Sequence, residues 1–262
     1  MNATYNKPIS GLKAYGIQKN GNQPGDYADA YGFNNNTLCI ADGATESIFS
    51  KEFANMLVDS FISGAAPENS GLKQAMQAAI ESSSAKWSEL LLTRTLPWYA
   101  EEKAAQGSHA AFTCVRLAPI AGQPSKKRLF FQKIAYKWEA AAVGDVCVFI
   151  VSDDCLIDAF PIDSSAEFDN SPCLISSLRG ADDAHIVTKS GELRQGDMVF
   201  LLSDALAEWF LRSREDGFSP WKTLSRIKSE AAFRLFIERL RETKQMKNDD
   251  ATLLSVTIGK LP

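Results

Sequence analysis

Two apolar runs in this chain stop on a carboxylate, and they constrain its fold more than any other feature. Thr37-Leu38-Cys39-Ile40-Ala41 runs into Asp42-Gly43, and Met198-Val199-Phe200-Leu201-Leu202 runs into Ser203-Asp204. Continuous apolar runs of this length read as interior strands, so each aspartate stands at the end of a buried strand. Gly43 carries no side chain, which lets backbone or ligand come close beside Asp42. A third run, Ala251-Thr252-Leu253-Leu254-Ser255-Val256-Thr257-Ile258, is introduced by Asp249 and Asp250. If that last strand runs antiparallel to the other two, Asp42, Asp204 and Asp249 meet at one edge.

Two further carboxylates fit the same place. Tyr27-Ala28-Asp29-Ala30-Tyr31-Gly32-Phe33 reads as an aromatic-rich strand, and Asn34-Asn35-Asn36 turns it into the strand ending at Asp42, so Asp29 and Asp42 share the open end of a hairpin. Val143-Gly144-Asp145 reads as a hairpin corner, with Asp145 at its tip. Like charges so close repel by about 4 kcal/mol per close pair at an effective dielectric of about 20, so a cation must stand among them. Donor sets made only of oxygen favour hard ions, Mg²⁺ or Mn²⁺, over zinc.

Helical periodicity fills much of the rest. Phe49, Phe53, Met56, Leu57 and Phe61 form one apolar stripe, and Leu72, Met76, Ala79, Ile80, Trp87, Leu90 and Leu91 form another that Pro97 interrupts; the two would cover one sheet face as an antiparallel pair. Further helices are expected over 206–211, 221–227 and 233–240, and strands over 110–117 and 129–142 around a basic hairpin tip at 121–128. The segment 152–184 reads as short strands and loops, and Leu193 to Asp197 as a turn. With 262 residues and no linker-like stretch, a single domain over 1–262 is expected.

Composition excludes several classes. A net charge of -4 gives no reason to bind nucleic acid. No run approaches membrane-spanning length and the first ten residues lack a signal-peptide core, so a cytoplasmic protein with no membrane partner is expected. Five cysteines without CxxC spacing read as buried free thiols. His109 reads as a polar residue at a strand start, His185 as a surface residue, and the five tryptophans as packing residues.

In order along the chain, Ala28-Asp29-Ala30-Tyr31, Ile40-Ala41-Asp42-Gly43, Gly107-Ser108-His109-Ala110-Ala111, Val143-Gly144-Asp145, Gly196-Asp197 through Leu202-Ser203-Asp204, and Asp249-Asp250-Ala251-Thr252 resemble the blocks of the metal-dependent serine/threonine phosphatases of the protein phosphatase 2C (PPM) family, bacterial-like single domains. The resemblance implies an α+β fold, a four-layer αββα sandwich of two mostly antiparallel sheets flanked by helix pairs. It implies two Mg²⁺ or Mn²⁺ ions with a weaker third site, a phosphorylated protein substrate, and a monomer. Phosphomonoesters would be hydrolysed through a metal-activated water. By the resemblance Asp42 bridges both ions, Gly43 lends its carbonyl to one, Asp204 and Asp249 hold the other, and Asp145 with Asp204 forms the weaker site; Asp42, Asp204 and Asp249 are the catalytic set, and Asp29 completes the metal group. The alternative is a binding or regulatory module of this fold with weak or no catalysis. Its motive lies in four departures: Ala28 replaces the family glutamate, Ala44 follows Asp42-Gly43, Ala205 follows Asp204, and Asp250 replaces an asparagine. Asp26 is a candidate to replace the missing glutamate, and Lys19 is the nearest match to a phosphate-contacting arginine.

Overall fold

The computed structural model describes residues 9–23, 25–34, 36–64, 70–120, 134–168 and 172–259. The expected basic tip at 121–128 and residues 1–8 lie outside them. Among the described residues one sheet has the order β1 (Ile9–Ile17), β11 (Ala251–Ile258), β10 (Met198–Leu202), β6 (Cys147–Ser152), β7 (Cys155–Phe160). The other runs β2 (Ala30–Phe33), β3 (Thr37–Gly43), β4 (His109–Pro119), β5 (Ile134–Val143), β9 (Val187–Arg194), with the short β8 (Ile175–Ser176) paired to β4. Every pairing is antiparallel.

The period-2 alternation of the interior strands builds the layers. Leu38 and Ile40 of β3, Val199 and Leu201 of β10, and Leu254 and Val256 of β11 fill the core between the sheets. Cys39 and Ala41 face the other way, against Phe53 and Leu57 of α1 (Ser50–Ile62) and Met76 and Trp87 of α2 (Leu72–Leu92). On the opposite side, Phe149, Phe200 and Leu202 pack under α4 (Asp204–Glu215), α5 (Pro220–Arg226) and α6 (Glu230–Glu242). The expected four layers are present, with three helices among the described residues, rather than a pair, on the second face.

Several local expectations are corrected. β5 and β6 lie in different sheets, so Gly144, at φ 91°, and Asp145 turn the chain from one sheet to the other instead of closing a hairpin. Residues 27–33 form a strand only from Ala30, which leaves Asp29 just before it. β9 covers Leu193 and Arg194, which were expected in a turn; most of its side chains are exposed, so no apolar alternation marks it. A short helix, α3 (Trp98–Ala105), follows Pro97. Cys39, Cys114 and Cys147 are buried, whereas Cys155 and Cys173 are exposed; all five are free thiols. No helix among the described residues is long and apolar enough to cross a membrane.

Candidate metal centre

β3, β10 and β11 bring their carboxylate ends to one end of the sandwich. Asp42 follows Leu38 and Ile40 in the alternation that fills the core between the sheets, so it belongs to that inward face at its open end. The β2–β3 register pairs Ala30 with Ala41, which sets Asp29 across from Asp42. Gly43 makes this close approach possible: a Cβ there would lie 2.8 Å from the carbonyl oxygens of both Ala28 and Ser50. Asp204 opens α4 directly after β10, and Asp145 is buried at the turn between sheets.

These carboxylates act on one another. Burial raises Asp42 above the usual carboxylate range, and the charges of Asp29, Asp204, Asp145 and Asp249 raise it further. Asp29, 2% exposed, is pushed up to about 8 by burial first and then by Asp250 and Asp204, while the hydroxyls of Thr252 and Ser203 pull it down. The other four aspartates expected at one site are therefore within electrostatic reach of Asp42.

A polar scaffold holds them. The Thr252 hydroxyl donates to Asp29 Oδ2, and because a hydroxyl has one proton to give, the Tyr27 O–H must donate to Thr252 Oγ1. Asp29 Oδ1 is buried with no hydrogen-bond partner. Asp250 accepts the backbone N–H groups of Lys19 at 2.7 Å and Ala28 at 2.6 Å, and so clamps both ends of the β1–β2 loop. Asp26, the other candidate near Ala28, is exposed and accepts the N–H of Gln23 within its own turn. His109 Nδ1 lies 3.2 Å from Ser47 Oγ, and burial with the charge of Arg179 lowers its pKa.

Sequence reasoning missed Lys247. Its ammonium pairs with Asp204 Oδ2. Burial works to lower its pKa, but Asp204, Asp249 and Asp145 outweigh burial and raise it. A lysine in a polar loop carries no periodic signal; its place two residues before Asp249 was the only hint in the sequence.

The donors are all oxygens, and the orphaned buried Asp29 Oδ1 beside Asp42 suits a hard divalent cation on that side. Among the described residues no group of three or more such side chains is arranged to hold an ion as it stands. Mutual repulsion and the Lys247–Asp204 pair both work against convergence on the other side.

The sequence model of the family described as Protein phosphatase 2C matches residues 17–254, a span that contains all of these aspartates. The chain belongs to the protein phosphatase 2C family. That membership makes it a phosphoprotein phosphatase, a hydrolase. Solved phosphatases of similar fold include the Mycobacterium tuberculosis serine/threonine phosphatase PstP/Ppp, with a TM-score of 0.62 and 14% identity over 96% of this chain and 100% of that one. Staphylococcus aureus Stp1 has a TM-score of 0.62 at 12% identity over 99% and 100% of the two chains. A PstP catalytic domain described in complex with two manganese ions has a TM-score of 0.58 at 14% identity over 96% and 99%. At these identities the likenesses speak for the fold. A comparison with curated protein sequences finds no match.

Proposed function

We propose that this phosphatase is a Mg²⁺- or Mn²⁺-dependent enzyme that hydrolyses phosphoserine and phosphothreonine monoesters in proteins. The observation that carries this reading is the group of Asp29, Asp42, Asp145, Asp204 and Asp249 at one end of the sandwich, with the buried Asp29 Oδ1 left without a partner. A solved relative described with two manganese ions supports the class of metal. Divalent ions at such a site neutralise phosphate charge and make hydroxide available near neutral pH for in-line attack on phosphorus.

The chain's own residues hold and orient. Asp42 and the Gly43 carbonyl would hold an ion on the Asp29 side; by the resemblance alone, Asp204 and Asp249 would hold one opposite and Asp145 with Asp204 a weaker one. Thr252 occupies Asp29 Oδ2 and so leaves Oδ1 as the free acceptor. Lys19, whose Nζ lies 3.1 Å from Thr45 Oγ1, would draw an incoming phosphate toward the turn after Gly43. No cysteine nucleophile is needed, and burial raises the thiol pKa of Cys39, Cys114 and Cys147.

Purified protein with excess Mn²⁺ should hydrolyse both p-nitrophenyl phosphate and a phosphothreonine peptide, and EDTA should stop both reactions. Absence of turnover on both substrates with Mn²⁺ present sinks this reading. It would leave the second one, a binding or regulatory module, which Ala28 in the glutamate position and Lys247 among the carboxylates favour.

A further inference from the structure

Lys247 sits against Asp204, with Asp249 and Asp145 as the next negative charges around it. By the resemblance these three carboxylates would hold one full ion and one weaker ion. The loop that carries Lys247 is braced on both sides. Arg241 closes the end of α6 onto it: Nη2 donates to the Asp249 carbonyl at 2.6 Å, while Nη1 donates to Gln18 O and Asn20 Oδ1, each at 3.1 Å. Asn248 and Asn20 exchange two hydrogen bonds, of 2.8 and 3.0 Å, and Asp250 holds the N–H groups of Lys19 and Ala28. The backbone at 247 is thus pinned opposite Asp204, and the ammonium is placed there by the fold.

The two sides of the site differ in what remains unsatisfied. Asp204 has partners for both oxygens, the Ala205 N–H on Oδ1 and Lys247 on Oδ2. Asp249 Oδ1 accepts the Asp250 N–H at 3.0 Å. Across the site, Asp29 Oδ1 is buried and has none. A lysine ammonium is a compact point charge with three donors, able to balance carboxylates in place of a cation.

We propose that Lys247 is a cation supplied by the chain itself, standing in for the divalent ion that Asp204 and Asp249, with Asp145, would otherwise hold, so that the protein takes its divalent ion on the Asp42–Asp29 side alone. This rests on reading Asp42 as a metal-holding carboxylate. It explains why the buried Asp29 Oδ1 is left wanting a cation on one side while both oxygens of Asp204 are partnered on the other. The lysine side chain is 38% exposed, so its removal opens space to solvent without hollowing the core.

Calorimetric titration of the full-length protein with MnCl₂, on wild type, Lys247→Gln and Lys247→Arg, tests this, with a thermal melt of each variant as the check on folding. The expected result is one tight ion in wild type and in Lys247→Arg, and a second in Lys247→Gln that binds roughly tenfold or more tighter than any second ion in wild type, the scale of removing one nearby like charge from a partly solvated site. Two tight ions in wild type overturn the proposal whatever the variants do, and so do identical titrations of wild type and Lys247→Gln; both results leave the metal-dependent reading standing. No Mn²⁺ bound by any of the three overturns that reading as well.

Discussion

Asp42→Asn should lower turnover of a phosphothreonine peptide by about a hundredfold or more while making the metal-free protein more stable. The loss follows because Asp42 is the carboxylate proposed to hold the ion, within electrostatic reach of Asp29, Asp204, Asp145 and Asp249, and replacing even an outer partner of a metal ligand costs roughly 10–100-fold. The gain follows from repulsion. Asp29 is pushed up to about 8 from an ordinary value of 3.8, and Asp42 is raised too, so the folded chain holds protons that the unfolded chain releases. A raised carboxylate contributes its stability fully below the unfolded value and loses it as pH climbs to the folded one. Thermal melts in EDTA should therefore show wild-type Tm falling between about pH 4 and about pH 8. In Asp42→Asn that fall should be shallower, with Tm near pH 8 higher by a few degrees, about 2–4 °C per kcal/mol relieved. A stabilised, inactive variant is the ordinary trade at a site where like charges are held together for function. Wild-type activity in the variant, or a Tm below wild type near pH 8, would contradict this account.

Asp250→Ala should be the most damaging single change near the site for folding. Asp250 is 6% exposed, and its two oxygens accept the backbone N–H groups of Lys19 and Ala28. Removing the carboxylate strands two donors at about 1–3 kcal/mol each. It also removes a negative charge that raises the Asp29 pKa, a relief of about 1 kcal/mol for a well-screened pair, so the lost hydrogen bonds win. The expected fall in Tm is on the order of 10 °C. Asp250→Asn should fall less, because an amide keeps one acceptor but turns its NH₂ toward the other N–H. The two N–H groups bracket the loop that leads to Asp29, so both variants should also weaken Mn²⁺ binding. An unchanged melting curve for Asp250→Ala would mean the clamp carries no stability.

The parts of this site legible in the sequence are those written by burial. β3, β10 and β11 are interior strands, so their apolar runs fix where Asp42, Asp204 and Asp249 fall. What stayed illegible lacks such a pattern. β9 is an edge strand with most side chains in water, so nothing apolar recurs along it. Val143-Gly144-Asp145 announces a sharp turn, but a period of two does not say which sheet receives the next strand. Asp26 and Asp29 were both candidates for the place near Ala28; only the β2–β3 register and the Thr252 contact separate the buried carboxylate from the one that caps its own turn. Lys247 and Asp250 act through tertiary contacts with segments more than 40 residues away in sequence, which local pattern does not carry.

Anomalous diffraction at the manganese edge from crystals grown with MnCl₂ tests the central claim most directly. The account predicts an anomalous peak in direct contact with an Asp42 carboxylate oxygen, on the side facing Asp29. Fully ordered crystals with no manganese peak at Asp42 would contradict it.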